Sequence, residues 1–307
     1  MAPARGTGMA PAGGGCLTAR AWIQGARLRT LPAAIAPVLV GGGLARSAGG
    51  FAAGPFLAAL AGALLIQVGT NYANDYSDFV RGADTHERLG APRVTQTGLL
   101  SPAAVRRGAA VAFGLALVVG VYLVAVGGWP IVWIGLASLA AAVCYTGGPW
   151  PFGYHGLGDV FVLAFFGPIA VAGTAYVQTL AWSAEAILAG LGVGSLITAI
   201  LVVNNLRDRV TDAAVGKRTL AVILGERGSK LEYTALWITA FVVVPVGAWS
   251  GGWPAGALLA LLAAIPGHRP LRGVWAYDDP RELNPALPAT AKTAGLYGLL
   301  FAVGCLW

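Results

Sequence analysis

Two short stretches of the sequence hold more oxygen ligands than the apolar chain around them requires. The first is Asn71-Tyr72-Ala73-Asn74-Asp75-Tyr76-Ser77-Asp78-Phe79-Val80-Arg81-Gly82-Ala83-Asp84, which ends a long apolar run. On a helix Asn74 and Asp78 are four residues apart and Asp75 and Asp78 three apart, so their side chains share one face. Asp84 follows a glycine and is expected in the loop. The second stretch is Asn204-Asn205-Leu206-Arg207-Asp208-Arg209-Val210-Thr211-Asp212, where Asn204, Asp208 and Asp212 fall at i, i+4 and i+8. Carboxylate and amide oxygens are hard ligands suited to Mg²⁺, which keeps several waters and shares itself between a few carboxylates and substrate phosphate. Two such faces set against each other could hold a diphosphate through bridging ions. The candidate metal ligands are therefore Asn74, Asp75, Asp78, Asp84, Asn204, Asp208 and Asp212. Arg81 after the first stretch, and Lys217 and Arg218 after the second, supply the cations that phosphate oxygens need. A lone Asp pair at a helix end is ordinarily a solvated terminus, and Asp208 between Arg207 and Arg209 could belong to a surface ion network. The case for chemistry rests on the repetition of Asn-x-x-x-Asp at two places.

The elements that must position these groups follow from composition. The chain has 307 residues, 57% of them hydrophobic and only 11% charged, with a mean hydropathy of +0.70. A soluble domain is charged to roughly 25%, so the expectation is a polytopic membrane protein of the all-α class. At roughly 20 residues per crossing the apolar content fills eight or nine spans and leaves no room for a sizeable soluble domain. The apolar runs are long and unbroken rather than alternating, which excludes a porin-like barrel. Cys16, Cys144 and Cys305 are far apart, so neither a disulfide framework nor a zinc site is indicated. Residues 1–19 are rich in Gly, Ala and Pro and read as a disordered tail without the apolar core of a signal peptide. Nine spans are expected: Thr30–Leu44, Ala53–Phe79, Pro102–Val126, Pro130–Thr146, Leu157–Thr179, Ala184–Leu206, Tyr233–Trp249, Trp253–Pro266 and Leu287–Trp307.

With the N-terminus placed in the cytoplasm, all Lys and Arg except Arg46 fall on the cytoplasmic side, the distribution of the positive-inside rule. The outer connections are short, as in Gly127-Gly128-Trp129 and Gly251-Gly252-Trp253, with tryptophans expected at headgroup level. Topology thus accounts for the net charge of +7. It does not account for the acids, which also lie on the cytoplasmic side with the exception of Glu185. Carboxylates beside apolar runs are costly unless solvated, paired or bound to metal. A transporter could also place charges in a helix bundle, but there they lie near mid-membrane, whereas here they gather at one end.

These residues carry a resemblance. Ala26-Arg27-Leu28-Arg29-Thr30-Leu31-Pro32, Asn74-Asp75-Tyr76-Ser77-Asp78 with Arg81-Gly82-Ala83-Asp84, and Pro92-Arg93-Val94-Thr95-Gln96-Thr97-Gly98 come first. Tyr145-Thr146-Gly147-Gly148-Pro149, Gly156-Leu157-Gly158-Asp159 and Asn204-Asn205-Leu206-Arg207-Asp208 through Lys217-Arg218-Thr219-Leu220 follow in order. Together they resemble the UbiA superfamily of intramembrane aromatic prenyltransferases, most closely its menaquinone branch, over a region from about Trp22 to the end. The broad superfamily pattern has a further Asp four positions after the second; Gly82 stands there, and the nearest acid is Asp84.

The resemblance implies nine helices around a central cavity, in one domain of two similar halves, about 20–150 and 151–307, set in the cell membrane with the site toward the cytoplasm. It also implies Mg²⁺ as cofactor, and a polyprenyl diphosphate and 1,4-dihydroxy-2-naphthoate as substrates. In that frame Asp78, Asp208, Asp212 and Lys217 act most directly on the departing diphosphate, while Arg81, Lys217 and Arg218 bind it. Tyr145, Tyr154, Asp159, Arg27 and Arg29 are candidates for the aromatic acceptor. The same fold would also suit 4-hydroxybenzoate, homogentisate, a porphyrin derivative or a sugar phosphate as acceptor.

Overall fold

A chain segment in hydrocarbon has no water to satisfy its peptide groups, so an uncharged apolar run must close its hydrogen bonds within itself as a helix. The computed structural model, which describes residues 14–82, 89–250 and 252–307, is helical throughout its apolar runs. In chain order the helices are α1 (Gly14–Ala26), α2 (Leu31–Ser47), α3 (Ala53–Val80), α4 (Pro102–Gly127), α5 (Trp129–Cys144), α6 (Gly158–Ala164), α7 (Ala170–Thr179), α8 (Ala184–Arg207), α9 (Arg209–Ala214), α10 (Leu220–Trp249), α11 (Ala264–Ala276) and α12 (Ala286–Gly304). A π turn at Phe165–Ile169 joins α6 to α7, and a 3₁₀ run at Ala255–Ala263 leads into α11.

Several boundaries differ from expectation. Helix α1 begins at Gly14, inside the stretch read as a tail, and turns into α2 through Arg27, which takes a left-handed backbone (φ 51°). The seventh span starts at Leu220 rather than Tyr233 and is interrupted at Gly225 (φ 71°); its first turns carry Glu226, Arg227 and Lys230, which hid them from a hydropathy reading. Among the described residues seven helical runs are long and apolar enough to cross a membrane. The fourth and eighth expected spans are helical but fall outside that set. The α5 helix has only 16 residues, about 24 Å at 1.5 Å per residue against a hydrocarbon core of about 30 Å. In the eighth, nine residues are 3₁₀, which rises about 2 Å per residue and so reaches deeper than the same stretch would as α-helix. Within the fifth span Pro168 removes a helical donor, and Gly167 leaves the helical region beside it.

Alternation of the helices sends every acid-rich segment to one end of the bundle. At the other end stand Trp129, Trp182, Trp249 and Trp307, all exposed, as amphipathic rings at a lipid headgroup level would be. Trp253 departs from that expectation: it is buried, meets Phe301 edge to face at 5.1 Å and donates to the Glu185 carbonyl at 3.3 Å. The outward faces of α4 carry Val111, Leu115, Val118 and Val121, well exposed as in contact with lipid. The multi-pass membrane character is thus plain in both composition and surface.

The main packed core joins α2, α7, α8, α10 and α12. Its centre is Tyr297 on α12, fully buried, donating to the Ala240 carbonyl of α10 at 3.2 Å and set against Phe241 and Phe301. Helix association in lipid depends on such close packing and on interhelical hydrogen bonds rather than on expulsion from water. Tyr297→Ala removes both and is expected to cost about 3 kcal/mol. Thermal unfolding in detergent should register this as a clear drop in Tm, and an unchanged Tm would contradict this packing of α12 on α10.

Candidate active site

The α3 helix presents Gln67, Asn71, Asn74 and Asp78 at i, i+4, i+7 and i+11, a single stripe by helical geometry, and all four line one cavity of about 630 Å³. The stripe is held in place by the start of α2. Gln67 Nε2 and Asn71 Nδ2 both donate to Thr30 Oγ1, and Asn71 also reaches the Ala26 carbonyl at 2.9 Å. Asn74 Oδ1 accepts from Thr146 Oγ1 at 2.8 Å. Across the cavity α8 contributes Asn204 and Asn205 above the apolar Ile197, Ile200 and Leu201. The two Asn-bearing helix ends therefore face one space.

Around its polar end Asp78, Asp208 and Asp212 are buried, and each of the three has a cation. Asp78 Oδ2 pairs with Arg93 Nη2 at 2.9 Å. Asp208 is gripped through both oxygens by Arg207, Nε to Oδ1 at 2.8 Å and Nη2 to Oδ2 at 2.6 Å. Asp212 Oδ1 lies 3.4 Å from Lys217 Nζ. Buried charges require such partners, since removing one leaves the other uncompensated. Arg93 and Lys217 line the cavity, whereas Asp208 and Asp212 stand just behind the lining. Asp75 differs from its neighbours: its carboxylate accepts from the Val94 and Thr95 amides at 3.2 and 3.3 Å and from Thr95 Oγ1. It is turned to the loop after α3 and secures that loop, and so secures Arg93. Spacing does not single out Arg93, although it stands within Pro92–Gly98; its contact with Asp78 distinguishes it.

Tyr154 joins the two clusters. Its hydroxyl donates to Asp78 Oδ1 at 2.8 Å, and Lys217 Nζ lies 5.3 Å from its ring centre. Burial, and then the charge of Asp78, hold this phenol far above its ordinary range, so it stays protonated and remains the donor. Burial alone would lower the Lys217 ammonium, but the carboxylates of Asp212, Asp78 and Asp208 together raise it. Acids from both helix ends thus act on one cation. Asp212 is pushed up from 3.8 to about 6, chiefly by burial, with Lys217 opposing and Asp208 and Asp78 adding to the rise.

The remaining candidates separate. Arg81 donates to the carbonyls of Thr146 and Gly148 and does not line the cavity. The Arg218 side chain is exposed, while its backbone amide donates to the Tyr154 carbonyl at 3.0 Å. Arg27 lines the cavity; Arg29 is exposed and does not. Tyr145 lines it, and Asp159 is buried behind with Oδ2 lacking a hydrogen-bond partner. Asp84 lies outside the described residues. No pattern of spacing announces the aromatic wall in which Tyr145, Phe152, Phe161 and Phe165 follow one another at 5.5, 4.1 and 6.1 Å between ring centres, all lining the cavity.

Among the described residues no three of His, Cys, Asp and Glu converge closely enough to hold a metal ion alone. The donors present nevertheless fit Mg²⁺, which leaves places for water and phosphate. Asp212 Oδ2 is buried without a hydrogen-bond partner, and Asn74 and Asn204 each accept a single bond at Oδ1, leaving a lone pair.

A raised carboxyl means that the folded chain keeps a proton that the unfolded chain has lost between pH 3.8 and about 6. Its contribution to stability is therefore present at low pH and is lost as pH rises through that interval. In divalent-free detergent the Tm of the wild type should fall across it more steeply than that of Asp212→Asn; identical slopes would contradict the burial of this acid.

Residues 34–286 match the UbiA prenyltransferase family. The chain is 37% identical over 281 residues to the 1,4-dihydroxy-2-naphthoate octaprenyltransferase of Mycobacterium tuberculosis, covering 92% of this chain and 95% of that one. A solved UbiA homologue from Aeropyrum pernix superposes with a TM-score of 0.66 at 16% identity, covering 87% of this chain and 97% of the other. One from Archaeoglobus fulgidus, solved bound to GPP and Mg²⁺, does so at 0.59 and 14% identity, covering 92% and 99%. With a matching family over most of its length, a UbiA-like helical bundle and two Asn-Asp helix ends facing one cavity, the chain belongs to the UbiA prenyltransferase family.

Proposed function

We propose that this membrane enzyme transfers a polyprenyl group from polyprenyl diphosphate to 1,4-dihydroxy-2-naphthoate, releasing diphosphate and CO₂ and giving demethylmenaquinol, a step of menaquinone biosynthesis. The observation that carries the reading is the pairing of acids and cations at the polar end of an apolar cavity, in a chain 37% identical to a naphthoate octaprenyltransferase. The positive-inside distribution supports a cytoplasmic N-terminus, with the polar end of the site on the cytoplasmic side of the cell membrane. The recurrence of the Asn-Asp pattern at the ends of α3 and α8 supports a single domain of two similar halves.

In this reading Asn74, Asp78, Asn204, Asp208 and Asp212 hold Mg²⁺ and the diphosphate between α3 and α8. Bound there, Mg²⁺ neutralises the diphosphate and makes it a better leaving group. Lys217 and Arg93 supply fixed positive charge to the phosphate oxygens, and beside apolar walls such charge acts more strongly than it would in water as the allylic C–O bond breaks. Tyr154 keeps Asp78 oriented. Arg81 and Arg218 act through the loops they brace rather than by touching phosphate, and Arg29 has no part.

As the bond breaks the allylic carbon gains positive charge, and the ring faces of Tyr145, Phe152, Phe161 and Phe165 are placed to stabilise it. The apolar walls exclude water that would otherwise capture it. The naphthoate ring attacks that carbon, forming the new C–C bond and losing its carboxylate as CO₂. Arg27 is suited to the acceptor carboxylate, and Asp159, behind Tyr145, to taking a proton from a ring hydroxyl, which enriches the ring in electrons, and to returning it as CO₂ leaves.

Incubation of the purified protein with 1,4-dihydroxy-2-naphthoate, a polyprenyl diphosphate and Mg²⁺ should give a product whose mass is that of the prenylated ring less CO₂. Product on 4-hydroxybenzoate and none on the naphthoate would overturn the choice of acceptor. Asp78→Ala and Asp208→Ala should each lower kcat/KM by about 10²–10³-fold, as loss of a preorganised charged group does, and EDTA should stop turnover. Undiminished turnover in either variant, at saturating Mg²⁺, would overturn the role of the clamp.

A further inference from the structure

Arg207 stands among the proposed metal ligands, yet a guanidinium cannot itself bind a cation. It is buried at 5% exposure and bonded on every side. Besides its two bonds to Asp208, Nη2 donates to Asn204 Oδ1 at 2.9 Å and Nη1 donates to Asn284 Oδ1 at 3.0 Å. Asn284 in turn donates through Nδ2 to the Leu89 carbonyl at 3.2 Å. One side chain thus ties the end of α8 to the turn before α12 and to the segment that follows α3 in the chain.

The approach from residues 89–90 is close. A Cβ at Gly90 would lie 2.6 Å from Arg207 Nη2 and 2.9 Å from its Cζ, so any larger residue must displace a group already held by four hydrogen bonds. Gly90 is the residue that lets the backbone cover the guanidinium.

We propose that Arg207 is a positioning residue that fixes Asn204 and Asp208 in the orientation from which they bind the divalent cation, and that Gly90 seats it. The inference rests on the metal-dependent transfer proposed above. Its physical basis is the rigid planar fork of arginine, which sets two acceptors at defined angles to one another where a lysine point charge would leave both free to rotate. Each acceptor oxygen has two lone pairs; the fork takes one and leaves the other. Groups that orient metal ligands from behind typically change metal affinity by about 10–100-fold when lost.

The test uses the full-length protein in detergent without substrate, with Mn²⁺ as the probe and its binding followed by electron paramagnetic resonance. Arg207→Lys keeps the charge and loses the fork, and should raise the Kd for Mn²⁺ about tenfold or more. Gly90→Ala, a change outside the cavity lining that leaves every charged group in place, should raise it in the same direction by a smaller factor. A residue that merely stabilises the fold would lower Tm and leave Kd unmoved. Both variants binding Mn²⁺ as tightly as the wild type would overturn this inference while the metal site itself stands. Binding indifferent to Asp208→Asn would overturn the metal site, and the inference with it.

Discussion

Like charges buried at the edge of a bilayer cannot be left to repel one another, and the whole polar end of this bundle is arranged around that constraint. Asp78 comes from the end of α3, Asp208 from the cap of α8 and Asp212 from the short α9 that follows it, and each is matched by its own cation, Arg93, Arg207 and Lys217. The matching is local for Asp208, short-range for Asp212 and supplied by a separate loop for Asp78. Since that loop is itself pinned by Asp75 through the amides of Val94 and Thr95, one acid of the first cluster is committed to placing the cation that a second acid needs. In the function proposed above, a site so balanced would tolerate an incoming polyanion, because its positive groups are already fixed in place and its carboxylates would accept divalent ions as the phosphate arrives.

The rest of the structure follows from keeping this charged end beside an apolar space. The cavity is most polar where Thr30, Gln67, Asn71, Asn74, Asp78, Asn204 and Asn205 meet Arg27, Arg93 and Lys217; the rest of its lining is mainly aliphatic and aromatic. The break at Gly167 and Pro168 lies where Phe165, Phe166 and Ile169 meet the cavity, so the irregular backbone is buried in protein and costs nothing in lipid. Charge at one end and aromatic faces along the wall are what separation of an allylic diphosphate demands, since the leaving group and the carbon it leaves develop opposite charges a few ångströms apart.

Much of this was legible beforehand. Hydropathy and helical spacing locate most spans to within a few residues and put Asn74 and Asp78 on one face, because long uncharged runs have one structural solution in hydrocarbon. Leu220–Lys230 escaped because charged residues on a helix that emerges from the membrane break the hydropathy signal while the helix continues. What spacing could not give is direction. Asp75 and Asp78 share a face on paper, yet a small rotation turns one to a loop and the other to the cavity. Arg81, beside the first cluster in sequence, is spent on carbonyls of the Thr146–Gly148 turn, whereas Arg93, twelve residues farther on, makes the ion pair. The aromatic wall was invisible for a similar reason: Phe152 and Phe161 stack across a turn whose geometry no local pattern encodes.

The central claim is that ligands from both helix ends grip one diphosphate through shared divalent ions. Phosphorus-31 electron–nuclear double resonance on the protein loaded with Mn²⁺ and a non-hydrolysable allylic diphosphate addresses it most directly. The account predicts a hyperfine coupling between manganese and phosphorus that is lost both in Asp78→Asn and in Asp208→Asn. A coupling that survives intact in either variant would mean that the two helix ends do not share the anion, and the account would be wrong.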